Sequence, residues 1–291
     1  MNRGDVTRFL RRLGEASKAI FIMNNRGLVG LILLSIPIAM ALFPQAIAPY
    51  NPWETTGAPF EPPSWRHLLG TNDMGQDIFS ELVYGARISL LVGFTAAAAT
   101  VILGTVLGLI AGYVGGFVDE VLLTVTDTMM LIPVLPFMIL LAAMLGQGYQ
   151  NIILVITIFS WPSVARLVRA QTLSLKQNVY VEAARAVGAS GSWIMFKHIL
   201  PQLLPLLVAF IVLRAGGAMI AEASLSFLGL GDPTQKSWGT MIYWAQRSGA
   251  ISSGAWWWIT APGLMITLSV LGFAQVGYAM EEYVNPRLRA R

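Results

Sequence analysis

Cysteine is absent from the 291 residues, so no disulfide and no thiolate metal site can form. Histidine is nearly absent. His67 and His198 stand alone, without the HExxH spacing that a catalytic zinc site would need. Charge is scarce: 12% of residues are Asp, Glu, Lys or Arg, about half the usual share. The four lysines, Lys18, Lys176, Lys197 and Lys236, never follow a glycine. No G-x-x-x-x-G-K-[ST] loop is therefore available to cradle nucleotide phosphates, and this chain carries no P-loop of its own. Basic residues are not interleaved with aromatics, which leaves a nucleic-acid partner without support.

Apolar residues fill the space, at 55% of the chain with a mean hydropathy of +0.64. A helix needs about 20 apolar residues to cross a bilayer. Six segments reach that length, at roughly 28–48, 88–112, 122–146, 151–170, 202–228 and 257–280. The expected fold is an all-α membrane protein with six transmembrane helices. The first segment starts too far in and lacks the small-residue cleavage site of a secretory signal.

Lys and Arg placement orients the bundle. With the N-terminus inside, 14 basic residues face the cytoplasm and 4 (Arg66, Arg87, Lys236, Arg247) face out, Arg214 being left within a span. The net charge of +4 thus reflects topology. Both termini are expected in the cytoplasm.

The chain divides into an N-terminal segment 1–26, a first span with a long external loop at 27–87, a five-helix core at 88–284 with a cytoplasmic loop at 171–201, and a tail at 285–291. In the first segment Phe9, Leu10, Leu13, Ile20 and Phe21 can face lipid while Arg8, Arg11, Arg12 and Lys18 face headgroups, so an amphipathic surface helix is expected there. The external loop holds Pro49, Pro52, Pro59, Pro62 and Pro63, which favour extended backbone. Trp53 and Trp65 suit the membrane interface.

Within the spans, Gly104, Gly108 and Gly112 share one helical face and invite close helix approach, either within the bundle or against a partner. Pro133 and Pro136 in the third segment and Pro162 in the fourth predict kinks. Ionisable residues inside a membrane are functional candidates by default, and here they are Asp127, Arg214 and Glu222. Arg214 and Glu222 are eight residues apart, about 12 Å of helical rise, too far for a one-turn pair. Both are candidate pathway residues. Pairing with a neighbouring helix is the alternative for Arg214.

The most informative stretch is the polar loop between the fourth and fifth segments. Glu182-Ala183-Ala184 favours helix. Gly188 interrupts it, and Leu200-Pro201 opens the next span, because proline fits a helical first turn. The expected order is helix, break, short helix and re-entry. An ordinary cytoplasmic linker is the plain alternative.

This spaced set resembles the EAA loop of ABC importer permeases. His198 stands where many members carry isoleucine, and Ile199 follows it. Leu69-Gly70-Thr71-Asn72-Asp73-Met74-Gly75-Gln76-Asp77, followed by Tyr84-Gly85-Ala86-Arg87, is similar to a signature of the C-type permease of dipeptide, oligopeptide and nickel importers. There Gln76 and Glu81 replace the usual arginines, and the loss of two charges weakens the case for an ion-pair network at this loop but not the resemblance. Glu222-Ala223-Ser224-Leu225-Ser226-Phe227-Leu228-Gly229-Leu230-Gly231 with Trp238-Gly239, and Pro286-Arg287-Leu288-Arg289, extend the likeness over about residues 25–290. Gly277-Tyr278 and Asn285 depart from the commoner Gly-Asp and Asp.

The resemblance implies a type I ABC importer permease in a prokaryotic plasma (inner) membrane. It implies a second homologous permease, two cytoplasmic ATPase subunits that hold ATP and Mg, and an extracytoplasmic substrate-binding protein. This chain would bind no cofactor and catalyse no reaction. Glu182, Ala183, Ala184, Gly188, Leu200 and Pro201 would couple it to the ATPases. Peptides are the implied cargo, with oligosaccharides and nickel chelates as alternatives. Two rival classes remain open at this point. One is an ion-driven secondary transporter using Asp127, Arg214 and Glu222. The other is a membrane enzyme, for which no acid, base or metal constellation is visible.

Overall fold

The computed structural model describes residues 24–284. The amphipathic helix expected before residue 24 and the tail from Asn285 onward lie outside the described residues. Within them the regular structure is helical, with two isolated β-bridges, Thr55–Gln76 and Thr71–Asp77.

Five helical stretches are long and apolar enough to cross a membrane, and a sharply bent pair makes a sixth. α1 (Asn25–Leu42) starts at Asn24, whose side chain accepts from Arg26 N, and ends before the single turn α2 (Pro44–Ile47). α3 runs Ile78–Val114, its first turn capped by the Asp77 carboxylate. It therefore begins about ten residues before the expected span. The extra turns stand beneath the external loop, where a polar cap can start a helix outside lipid.

The third expected span, 122–146, is not one helix. α4 (Gly116–Leu131) and α5 (Val134–Leu145) meet at a 92° bend. Proline at 133 drives the preceding Ile132 out of the helical region, and Ile132 has ψ 133. Proline thus breaks this span outright instead of kinking it. Pro136 sits harmlessly in the first turn of α5. By contrast, Pro162 leaves α6 (Tyr149–Lys176) uninterrupted.

After α6 come α7 (Val179–Ala186) and a long helical run from Gly191 to Leu230. Its parts are the turn α8 (Gly191–Ile194), a π turn at Met195–Ile199, α9 (Leu200–Leu225) and a second π turn at Ser226–Leu230. The short helix expected before re-entry is continuous with the span. The wider π turn accommodates Pro201, which lacks an N–H and would crowd the carbonyl of Lys197 in a regular α-helix. α10 (Trp238–Arg247) and α11 (Trp257–Val284) complete the fold.

The glycine face of α3 packs within the bundle, against α6. A Cβ on Gly104 would stand 2.6 Å from Val164 Cβ, one on Gly108 2.9 Å from Val168 Cβ, and one on Gly112 2.8 Å from Thr172 Cβ. Backbones that approach this closely gain dispersion contact that larger residues forbid. Gly104→Val is expected to cost about 1–3 kcal/mol by overpacking. Thermal unfolding of the purified chain in detergent reads this directly, and an unchanged midpoint would contradict the packing described. α1 and α11 use the same device: a Cβ on Gly30 would lie 2.8 Å from Gly272 O. Their ends are tied by Glu282, which accepts from Asn24 Nδ2 and Arg26 Nη1.

The loop expected to be external does not run extended. It folds into a compact cap on buried polar side chains. His67 Nδ1 lies 2.9 Å from Asp77 Oδ1, both side chains fully buried. Asn72 Oδ1 accepts from the backbone of Met74 and Gln76. The cap is held to the end of α10 by Ser248 Oγ donating to Asp73, and an ion pair of Lys236, just before α10, with Glu81 ties that segment to the first turn of α3. Gln76 and Asn72 also contact that pair. Replacing two arginines therefore did not remove the network here. The positive charge enters from Lys236, far along the chain, and Glu81 supplies the negative one.

Candidate coupling loop and membrane cleft

α3 is 37 residues long, about 55 Å, and the cap stands at its start. At its other end Lys176 Nζ donates to Tyr113 O at 2.6 Å, which brings the end of α6 to the end of α3. α7 follows directly from α6. The cap and α7 thus occupy opposite ends of the molecule.

α7 has two sides. Val181 and Ala184 are buried against Ile194, Ile199 and Leu203. Glu182 and Ala183 face outward. The helix ends in a Schellman turn: Gly188 N donates to Arg185 O, and Ala189 N to Ala184 O. Gly188 carries φ +86, the left-handed conformation this turn requires. Leu200 packs half-buried on the same apolar cluster, while Pro201 is exposed. The six sequence candidates therefore split. Glu182, Ala183, Gly188 and Pro201 lie on the surface, and Ala184 and Leu200 root the loop in the bundle.

His198 has a structural place. Its ring packs 4.8 Å from that of Trp193 and 5.9 Å from that of Tyr180, joining α7 to the run that follows. Tyr180 OH in turn accepts from Gln202 Nε2 at 2.5 Å. The sequence reasoning missed an apolar collar around this loop: Val179 is 81% exposed, Val187 85% and Phe196 65%. Large apolar residues in a loop assigned to the cytoplasm were the available signal, since exposed apolar patches mark interaction sites.

The three intramembrane charges do not meet. Asp127 pairs with Arg166, and the neighbouring Asp119 accepts from Arg169 Nε and Nη2 at 2.5 and 2.6 Å, so two ion pairs fasten α4 to α6. Glu222 is buried at the end of α9, where its Oε1 accepts from Ser226 Oγ and Ser237 Oγ, both at 2.8 Å. It pins the second π turn to the start of α10 and does not line the cleft. Trp238 completes that junction, its Nε1 donating to Leu82 O at 2.9 Å. Arg214 alone of the three opens on a cleft of about 350 Å³ between α3, α5, α6 and α9. The wall contributed by α5, including Leu135 and Met138, stands there because the break at Pro133 swings α5 across the bundle.

A helical bundle of this length and apolarity, with a folded cap at one end and a helical knob at the other, has the build of a multi-pass membrane protein. Residues 104–290 match the family described as the binding-protein-dependent transport system inner membrane component. The chain is 36% identical over 278 residues to a Brucella abortus protein named as a peptide transport system permease, covering 92% of this chain and 90% of that one. It is 35% identical over 296 residues to the oligopeptide transport system permease protein OppC of Bacillus subtilis, covering 99% and 95%. The chain belongs to the binding-protein-dependent transport system inner membrane component family, and is a membrane transport subunit.

Proposed function

We propose that this chain is one of two permease subunits of an ATP-driven peptide importer, and that α7 with its apolar collar is its seat on a separate ATPase subunit. The observation that carries this is the build of the loop. A short helix is rooted by Val181 and Ala184, closed by a glycine turn, and surrounded by exposed Val179, Val187 and Phe196 at the end opposite the cap. Apolar surface of this kind gains by being covered. The 14-to-4 bias of basic residues supports a cytoplasmic position for this end, where ATP is available. Both termini would lie on the same side. ATP and Mg would reside in the partner ATPases, since no P-loop exists here. The cap would face an external binding protein.

Peptide cargo is supported by the relatives named for peptide and oligopeptide transport. The names of these relatives rank peptides ahead of oligosaccharides and nickel chelates. The scatter of Asp127, Arg214 and Glu222 to three separate settings disfavours an ion-driven transporter that would use them as one coupling cluster.

Val187→Asp combined with Phe196→Asp puts two charges on the collar without touching the buried root. Co-purification of P-loop ATPases from native membranes should fall at least about tenfold, as expected when an apolar anchor is replaced by charge. A second permease should still be recovered. Undiminished ATPase recovery would overturn the assignment of this surface.

A further inference from the structure

Arg214 stands in the middle of a membrane-spanning helix, in α9. An arginine there cannot lose its proton and is costly to hold in an apolar surrounding. It needs an anion, water or several acceptors. Among the described residues its guanidinium has one hydrogen-bonding partner, Ser163 Oγ at 2.9 Å, and no carboxylate within ion-pairing distance. Serine supplies no charge, and the guanidinium has five N–H donors in a fork that fits a carboxylate.

The surroundings single out this position. Arg214 lines the cleft of about 350 Å³ together with Thr100, Ser160 and Ser224, three neutral hydroxyls, on walls otherwise apolar. That volume falls in the range of small-molecule sites. Two arginines of the neighbouring helix α6 behave differently. Arg166 and Arg169 each have an aspartate on α4. One uncompensated cation, facing space and ringed by neutral polar groups, is the arrangement expected where the counter-charge arrives with a transient ligand.

We infer that Arg214, steadied by Ser163, is a carboxylate subsite of the translocation path, which receives the C-terminal carboxylate of a passing peptide. This rests on the peptide-importer reading above. Every linear peptide carries that group whatever its side chains, so one arginine can serve many cargos. A bidentate contact would hold the cargo long enough to prevent its return, and neutral hydroxyls nearby, rather than acids, keep the anion from being repelled.

The absence of cysteine from the chain provides the test, because Arg214→Cys introduces its one thiol. The full complex is reconstituted in liposomes with binding protein preloaded with trialanine, and uptake is measured. Arg214→Gln is expected to lower the rate about tenfold, as for loss of a hydrogen bond to a charged group. Arg214→Lys should keep at least about half. Arg214→Cys should be slow, recover when 2-aminoethyl methanethiosulfonate restores a cation, and stay slow with the anionic 2-sulfonatoethyl reagent. Modification should itself be slowed while peptide occupies the complex. The unsubstituted chain treated with both reagents controls for thiols elsewhere in the complex.

Arg214→Gln importing at the wild-type rate would overturn the subsite. So would equal recovery with both reagents. A loss of the second permease from Arg214→Gln complexes would also overturn it, by assigning the guanidinium to an acid of that subunit. Failure of the wild-type complex to import trialanine at all would instead overturn the peptide reading, which separates the two claims.

Discussion

Gly188→Val is expected to abolish most uptake while the complex still assembles. The reason lies in the backbone rather than in crowding. A Cβ at position 188 would meet nothing within 4 Å, so space is available. The conformation is not. With φ at +86, a residue bearing a branched side chain is held in a region that costs about 1–3 kcal/mol. If the loop escapes into another turn, the population of the observed one falls by about 5- to 150-fold at those energies. The two hydrogen bonds closing the turn, from Gly188 N to Arg185 O and from Ala189 N to Ala184 O, would then be lost together. α7 would keep its buried root through Val181 and Ala184, so ATPase subunits should still be recovered. Its exit angle would change, and with it the transmission of motion into α9. Gly188→Asn discriminates between backbone and bulk. Asparagine tolerates the left-handed region, so this variant should retain far more uptake than valine despite a similar size. Equal activity of the valine variant and the wild type would refute the requirement.

Lys236→Ala should destabilise the protein by about 3–5 kcal/mol, the range for stranding one member of a buried ion pair. Glu81 is 2% exposed and Lys236 19%. Without the lysine, the carboxylate keeps Asn72 Nδ2 at 3.1 Å but loses its counter-charge. The cap would also loosen from the segment before α10, because Lys236 further donates to Gln76 Oε1 at 3.0 Å. Thermal unfolding in detergent measures the loss. The double variant Glu81→Leu with Lys236→Met should be markedly milder, since it removes both charges and leaves no orphan. A Lys236→Ala midpoint within error of wild type would show that the pair contributes nothing and that solvent already screens it.

These two sites differ in how visible they were beforehand. Gly188 announced itself through spacing, because a glycine after a short run of helix formers is a local signal and the turn it makes is local. The Glu81–Lys236 pair was hidden. Its members are 155 residues apart in sequence, and Gln76 and Glu81 suggested a charge network lost rather than one rebuilt from the other side. No local pattern reports a partner that arrives from the segment before α10.

The membrane helices follow the same division. Hydropathy located every long span, because transfer of apolar residues into lipid depends on composition over a window and little on neighbours. It could not see that Ile132-Pro133 breaks the third span by 92°, since the break leaves the apolar character of the window intact. It also extended no helix to Ile78, because the cap of α3 is a polar interaction outside the lipid. Prolines at 133 and 162 look alike in a string of letters. One interrupts and the other does not, because the packing of α6 against α3 holds the helix through Pro162.

What the sequence alone determined is the class: a multi-pass helical membrane protein without its own nucleotide loop, with a helix, glycine turn and proline re-entry between two spans. Those properties are additive or local, so they survive without a fold. Only the tertiary structure decided which glycine face meets which helix, and that Glu222 anchors α9 to α10. It alone brought Arg214 to an open cleft with Ser163 as its partner. Each of those depends on contacts between distant segments, where a single backbone break such as that at Pro133 sets which side chains share a wall.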